Sequence, residues 1–167
     1  MDTAIQEAFR SQYRAGLRML RECIERCPDE IWGEVTDRFP RTFWRIAYHT
    51  IFYTDLYLCV DSDSFQPWEK HVWHGRLLWT DDETGVPPDE TPLTQAELVE
   101  YVDKIYRSLD DRLAAMDFSS TESGFSWYPI SKFEHQLVNL RHLGVHIGQL
   151  QSLLYAKNVE LSWVGRG

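Results

Sequence analysis

The sequence predicts an all-α protein, a four-helix bundle with a long crossover between its second and third helices. Three observations lead there. Four segments space their apolar residues at the helical period, two of them open on capping signals, and one long proline-containing stretch lies between the second and third. No segment alternates apolar and polar residues over a strand-like length, and there is no internal repeat or low-complexity tract.

The first helix spans Thr3–Cys27, with Ile5, Phe9, Tyr13, Leu17, Leu20 and Ile24 among its apolar positions and Pro28 as its stop. The connector Pro28–Pro40 carries Ile31, Trp32 and Val35, which are suited to closing one end of a bundle. The second helix runs from about Arg41 to Val60, on a stripe of Phe43, Ile46, Ala47, Thr50, Ile51, Thr54 and Leu58. Asp61–Leu93 breaks the pattern with Pro67, Pro87, Pro88 and Pro92, and it holds Trp68, Trp73 and Trp79. Crossing the length of a 20-residue helix takes about 30 Å, which this segment can span. Such a crossover lets two consecutive helices run parallel. The third helix opens on the capping box Thr94-x-x-Glu97 and continues on Leu98, Val102, Ile105, Leu109 and Leu113. The fourth opens on a second box, Ser131-x-x-Glu134, and runs to about Lys157, its stripe being Leu137, Leu140, Gly144, Ile147 and Leu154.

At 167 residues the chain fits a single domain, 1–167, large enough to bury a core. Its net charge of −9 argues against nucleic acid and anionic membrane as partners, because both select basic surfaces. No apolar run reaches 18 residues, and the acidic start M-D-T-A-I-Q-E does not read as a signal peptide. Cys23, Cys27 and Cys59 fit no zinc or disulfide framework; the first two are i,i+4 and read as small apolar packing residues. A cytosolic location is expected. Eight Phe, eight Tyr and seven Trp are many for this length; such aromatics usually fill a core, and an excess can also line a pocket or a subunit interface.

His142 and His146 stand four residues apart in N-L-R-H-L-G-V-H-I-G-Q-L-Q, so a helix puts both imidazoles on one face. Two neutral imidazoles so placed can bind one ion. His135 shares nearly that face, but its Cα lies roughly 10 Å from that of His142 along the helix, too far for the same ion. A third ligand must come from another element, and His49, mid-way along the second helix, faces the pair at the same height if the two helices pack. His71 and His74 are i,i+3 in the crossover and read as rim or loop histidines, because a loop pre-organises a site poorly.

A mid-helix histidine joined to H-x-x-x-H-x-G-Q-L in the last helix resembles the DinB (damage-inducible) superfamily. The residues that carry the likeness are His49 and the run His142-Leu-Gly-Val-His146-Ile-Gly148-Gln149-Leu150, with the connector P-D-E-I-W at Pro28–Trp32 and the long crossover. One departure is Ile147, where many members carry Arg in an H-R-G-Q run. The resemblance implies a left-handed up-down-down-up bundle, often a homodimer, with a divalent ion, zinc or nickel, on the three histidines. It also implies, for some members, transfer of low-molecular-weight thiols (mycothiol, bacillithiol or glutathione) to an electrophilic substrate.

Three histidine ligands leave a coordination position open, which is the mark of catalytic rather than structural zinc. No nucleophile motif, H-E-x-x-H or Gly-rich phosphate loop is present. The residues therefore leave three readings open: a metal-dependent thiol S-transferase, a metal-dependent hydrolase, and a non-catalytic metal-stabilised bundle that binds a small molecule or a partner. Tyr53, one turn after His49, and Gln149, near His146, are candidates to touch a substrate or orient the ligands. Each would equally fit an ordinary core tyrosine and a helix-face glutamine.

Overall fold

A computed structural model describes residues 3–34, 41–72 and 91–167. The expectations placed on Val35, Trp73, His74 and Trp79, and on the prolines at 87 and 88, lie outside the described residues. The fold is all-helical, with no strand among the described residues. Its helices are α1 (Thr3–Glu25), the single turn α2 (Asp29–Trp32), α3 (Phe43–Tyr57), α4 (Gln95–Ala115) and α5 (Lys132–Tyr155). Among the described residues no helix is long and apolar enough to cross a membrane.

α3 is buried on nearly every side, its far face included: Phe43 through Tyr48 are all buried, as are Ile51 and Leu56. Its hydroxyls stay satisfied locally, since Thr50 Oγ1 donates to the Ile46 carbonyl and Thr54 Oγ1 to the Thr50 carbonyl, at 2.6 and 2.7 Å. The charged Asp55, fully buried, meets the Arg112 guanidinium at 2.6 Å and accepts from the Tyr101 hydroxyl at 2.7 Å. Around this helix pack α4 and α5, and α1 closes the other side of the core. Phe9, Leu17, Leu20, Leu98, Ile105 and Leu150 are among the residues of that one cluster. Burial of this apolar surface at about 25 cal/mol per Å² is what drives the four long helices together.

The capping box at Thr94 forms in full: its hydroxyl accepts from the Glu97 N–H and the Glu97 carboxylate accepts from the Thr94 N–H. At Ser131 the box is half made, with the hydroxyl accepting from the Glu134 N–H at 3.1 Å. The inward stripe of α5 also differs from the expected one. Leu137 is 47% exposed and Gly144 is exposed, while His135, Gln136 and Asn139 are fully buried beside Leu143, Ile147 and Leu150. The physical reason is that both amides have partners on α3: Gln136 Nε2 donates to the Tyr57 carbonyl at 2.7 Å and Asn139 Nδ2 to the Thr54 carbonyl at 3.4 Å. Gln136 Oε1 in turn accepts from the Tyr13 hydroxyl of α1 at 2.6 Å. Buried polar groups so paired cost little, so hydrophobicity alone misplaces the stripe.

Cys23 and Cys27 pack in the core as small apolar residues, and burial pushes both thiols up to about 12. Trp68, part of the crossover, is buried and stacks on Tyr101 with centroids 4.5 Å apart. It is a core residue of its own chain, which removes it from the aromatics expected at a subunit interface.

His135 is the least compensated group in the core. It is fully buried among the rings of Tyr57, Phe125 and Tyr128, with centroids 4.8, 4.7 and 5.3 Å away, and neither ring nitrogen has a hydrogen-bond partner among the described residues. Burial, helped by the nearby Lys132 charge, lowers its pKa to about 4. Between about pH 4 and 6.5 the unfolded chain binds a proton at this position and the folded chain does not. Stability therefore falls as pH drops through that window, by on the order of 3 kcal/mol in all. His135→Phe keeps the ring and removes both nitrogens, so urea unfolding at pH 7 and pH 4.5 should find the variant markedly less acid-sensitive than the wild type. Equal acid sensitivity in the two proteins would contradict this account.

Candidate metal centre

The site is set by how α3 sits on α5. Lys132, the first residue of α5, reaches the end of α3 and donates to the Val60 carbonyl at 2.5 Å, and it also donates to the Ser123 carbonyl. Gln136 meets the Tyr57 carbonyl, and that group lies in the last turn of α3, where no intrahelical donor remains. Two turns further along, His49 of α3 faces His142 and His146 of α5. The connector before α5 is seated against the end of α3 at Gly124, whose φ of +83° suits glycine and whose carbonyl accepts from the Ser62 N–H. A side chain there would run into the Asp61 backbone, with a Cβ only 2.9 Å from the Asp61 Cα.

The three half-buried imidazoles form one cluster, with a ligand atom from each lying within 4.8 Å of the others. Ring centroids are 4.9 Å apart for His49 and His142, 4.7 Å for His49 and His146, and 4.4 Å for His142 and His146. His49 Nε2 and His142 Nε2 face each other at 2.9 Å. Two neutral imidazole nitrogens at that distance need one proton between them, and a metal ion takes the place of such a proton. Nitrogens about 2.05 Å from a tetrahedral ion are roughly 3.3 Å apart, so small side-chain adjustments suffice. His146 Nδ1 is 2.6 Å from Gln149 Oε1. An amide oxygen only accepts, so the Nδ1 proton lies on this bond and the Nε2 lone pair is left bare for a metal. Burial lowers the His146 pKa, the bond to Gln149 works against this, and the Arg41 charge adds to the lowering. A neutral imidazole is the form a metal binds. The three residues fit one divalent ion.

The cluster opens onto a cavity of about 370 Å³. Its aromatic wall is Tyr53, Tyr57 and Tyr128, and α5 contributes Val138, Arg141 and Val145 beside the two histidines. Tyr53 packs edge-on against both His49 and His142, at 4.7 and 5.4 Å between centroids. Burial raises the Tyr53 and Tyr57 pKa values above the ordinary phenol range, so both hydroxyls stay protonated and available as donors at neutral pH.

Of the residues singled out in the sequence, His49, His142 and His146 come together, Tyr53 touches them, and Gln149 holds one of them. His135 stays apart, beneath the aromatic cluster. His71 is exposed, stacks on Phe52 and lies 2.7 Å from the Tyr48 hydroxyl through Nδ1, away from the triad. Tyr57, Tyr128, Val138, Arg141 and Val145 were not singled out. Three of them carried a signal: Tyr57 continues the His49–Tyr53 spacing, and Val138 and Val145 stand four before and three after His142; Arg141, directly before His142, has no such spacing. Tyr128 arrives from a connector, where spacing gives no guide.

Comparison with known proteins returns no match among curated proteins or solved structures. A family model described as the DinB superfamily matches residues 12–150, from the first half of α1 through the histidine pair to Leu150 of α5. On that match, which spans the helices that carry the triad, the chain belongs to the DinB superfamily.

Proposed function

We propose that the protein is a metal-dependent thiol S-transferase of the cytosol, with one divalent ion, zinc or nickel, held by His49, His142 and His146. The observation that carries this reading is the convergence of three half-buried imidazoles on the edge of an open, tyrosine-lined cavity. A divalent ion with three histidine ligands offers an open position that favours the ionised form of a thiol. The chain's own residues would then divide the remaining tasks. Gln149 fixes the tautomer of His146, the tyrosine wall excludes water from one side, and the Tyr53 hydroxyl is a protonated donor beside the ligands. In the transfer the thiol sulfur bonds to an electrophilic carbon, its proton passes to solvent, and the leaving group departs with the bonding pair.

The proposal extends to architecture. We read 1–167 as one domain, a four-helix bundle of α1, α3, α4 and α5 in up-down-down-up order. Arg10 and Arg21 of α1 meet Asp110 and Asp103 of α4, so numbers rise along one helix as they fall along the other. His49 and Tyr57 meet His142 and Gln136 in the same opposed sense. Tyr48 and Asp55, by contrast, meet Tyr101 and Arg112 in rising order. These pairings support a crossover between two parallel helices.

Metal analysis of the purified protein should find close to one divalent ion per chain. His49→Ala and His142→Ala should each remove most of it, His71→Ala should leave it unchanged, and Gln149→Leu should weaken metal affinity by about 10- to 100-fold. Full metal content in both histidine variants would sink the triad.

Glutathione, bacillithiol and mycothiol, each offered with one reactive electrophile, should include one thiol that the loaded protein consumes well above background. His146→Ala or a chelator should abolish that consumption. If the ion only stabilises the bundle, chelation lowers the melting temperature and no thiol is consumed.

We also propose a homodimer, supported by Leu137, Tyr155 and Trp163, which are 47%, 53% and 83% exposed. Sedimentation at micromolar concentration should give twice the chain mass of 19.7 kDa, and a monomer alone would count against it.

A further inference from the structure

The cavity beside the triad has a composition that selects its occupant. Its walls are aromatic and aliphatic, from Tyr53, Tyr57, Tyr128, Val138 and Val145, and Arg141 is its one permanently charged lining residue. No carboxylate lines it among the described residues, although the chain as a whole carries a net charge of −9. Arg141 makes no ion pair with an acidic side chain among the described residues. Arg10, Arg14, Arg21, Arg26 and Arg112 each do, and of the described arginines without one it is Arg141 that lines this cavity. A guanidinium with no carboxylate among the described residues, carried on a helix directly before a triad histidine, is a ready bidentate partner for a planar anion. Three tyrosine rings beside it give an aromatic body edge and face contacts. The volume of about 370 Å³ lies near the low end for small-molecule sites, which fits one or two fused rings rather than a peptide.

We propose that this cavity binds a small aromatic carboxylate, with Arg141 taking the carboxylate and the tyrosine wall taking the ring. This rests on the proposed function in that it names the substrate class of the same site, an aromatic carboxylate whose ring or side chain carries the leaving group that the thiol displaces. Arg141 is a specificity-determining residue in this assignment: it selects charge and sets which end of the substrate faces away from the histidines.

Calorimetric titration of the purified protein with 2-naphthoate and with its neutral analogue 2-naphthamide tests the assignment, with metal content measured on the same samples. The expected result is naphthoate bound about tenfold or more tightly than naphthamide by the wild type, as for a charge-assisted bidentate pair. Arg141→Gln should shrink that preference to threefold or less, and Arg141→Lys should keep part of it, with metal content unchanged in both. Arg141 is solvent-exposed, so neither variant removes a core contact. Equal binding of the two probes by the wild type overturns the proposal, as does failure of both to bind. A preference that survives in Arg141→Gln also overturns it, because the carboxylate is then held by something other than Arg141. A wild type that holds no metal defeats the metal-dependent reading alone, and the naphthoate comparison on that same protein still decides the anion site.

Discussion

The register between α3 and α5 is the constraint on which the site depends. It is held by polar contacts: Gln136 on the Tyr57 carbonyl and Asn139 on the Thr54 carbonyl of α3, with Lys132 on the Val60 carbonyl just past its end. Apolar packing alone would tolerate a slip of one turn between the helices, since one leucine replaces another at modest cost. These bonds would not, because each displaced group would be left buried and unsatisfied, at about 1–3 kcal/mol apiece. A one-turn slip would also move His49 by about 5.4 Å along α5 and dissolve the triad. The same three residues that look out of place in a helix core are thus the ones that hold the ligands at one height.

The aromatic shell sets the electrostatics around the triad. Tyr53 touches His49 and His142, and Tyr57 and Tyr128 extend the wall towards Phe125 and His135. Rings exclude water while offering no carboxylate, so desolvation rather than pairing dominates the electrostatics and pushes the imidazoles of His135 and His146 towards the neutral form. A carboxylate in this wall would do the opposite, since it would stabilise an imidazolium and hold the proton a metal must displace.

Most of the fold was legible because it follows from local signals. Pro28 follows the last turn of α1, the Thr94–Glu97 box opens α4, and the period of the apolar residues found all four long helices within a few residues of their ends. The triad was legible too, from an i,i+4 pair and the length argument that excluded His135. What spacing could not give was the interior of α5. Gln136 and Asn139 form no part of an apolar stripe, and the partners on α3 and α1 that let them be buried are some 80 to 120 residues away in sequence. Leu137 was then assigned inward in their place. Ile147 shows the converse: it stands where many superfamily members carry arginine, and here it is buried against α1, within 3.9 Å of where a Cβ on Gly16 would lie. An apolar side chain at this position therefore packs α1 on α5.

The location of the triad bears on whether an ion there would be structural or chemical. Structural zinc sites are closed, four-ligand clusters in chains too small to fold on apolar burial alone. This chain buries a continuous apolar cluster that runs from Phe9 to Leu154 through all four long helices, and the three histidines are only half-buried. The α3–α5 register has its own hydrogen bonds, so the packing of these helices does not wait on an ion. The histidines sit instead at the edge of that core, where three rings converge, Gln149 sets the tautomer of one, and a cavity of about 370 Å³ gives access from solvent. Half-burial at such a place is expensive to maintain, since it leaves polar side chains partly desolvated and an apolar wall partly wet. A ligand set placed at an opening, rather than inside the core, is suited to exchange of a bound molecule and contributes little to holding the helices together.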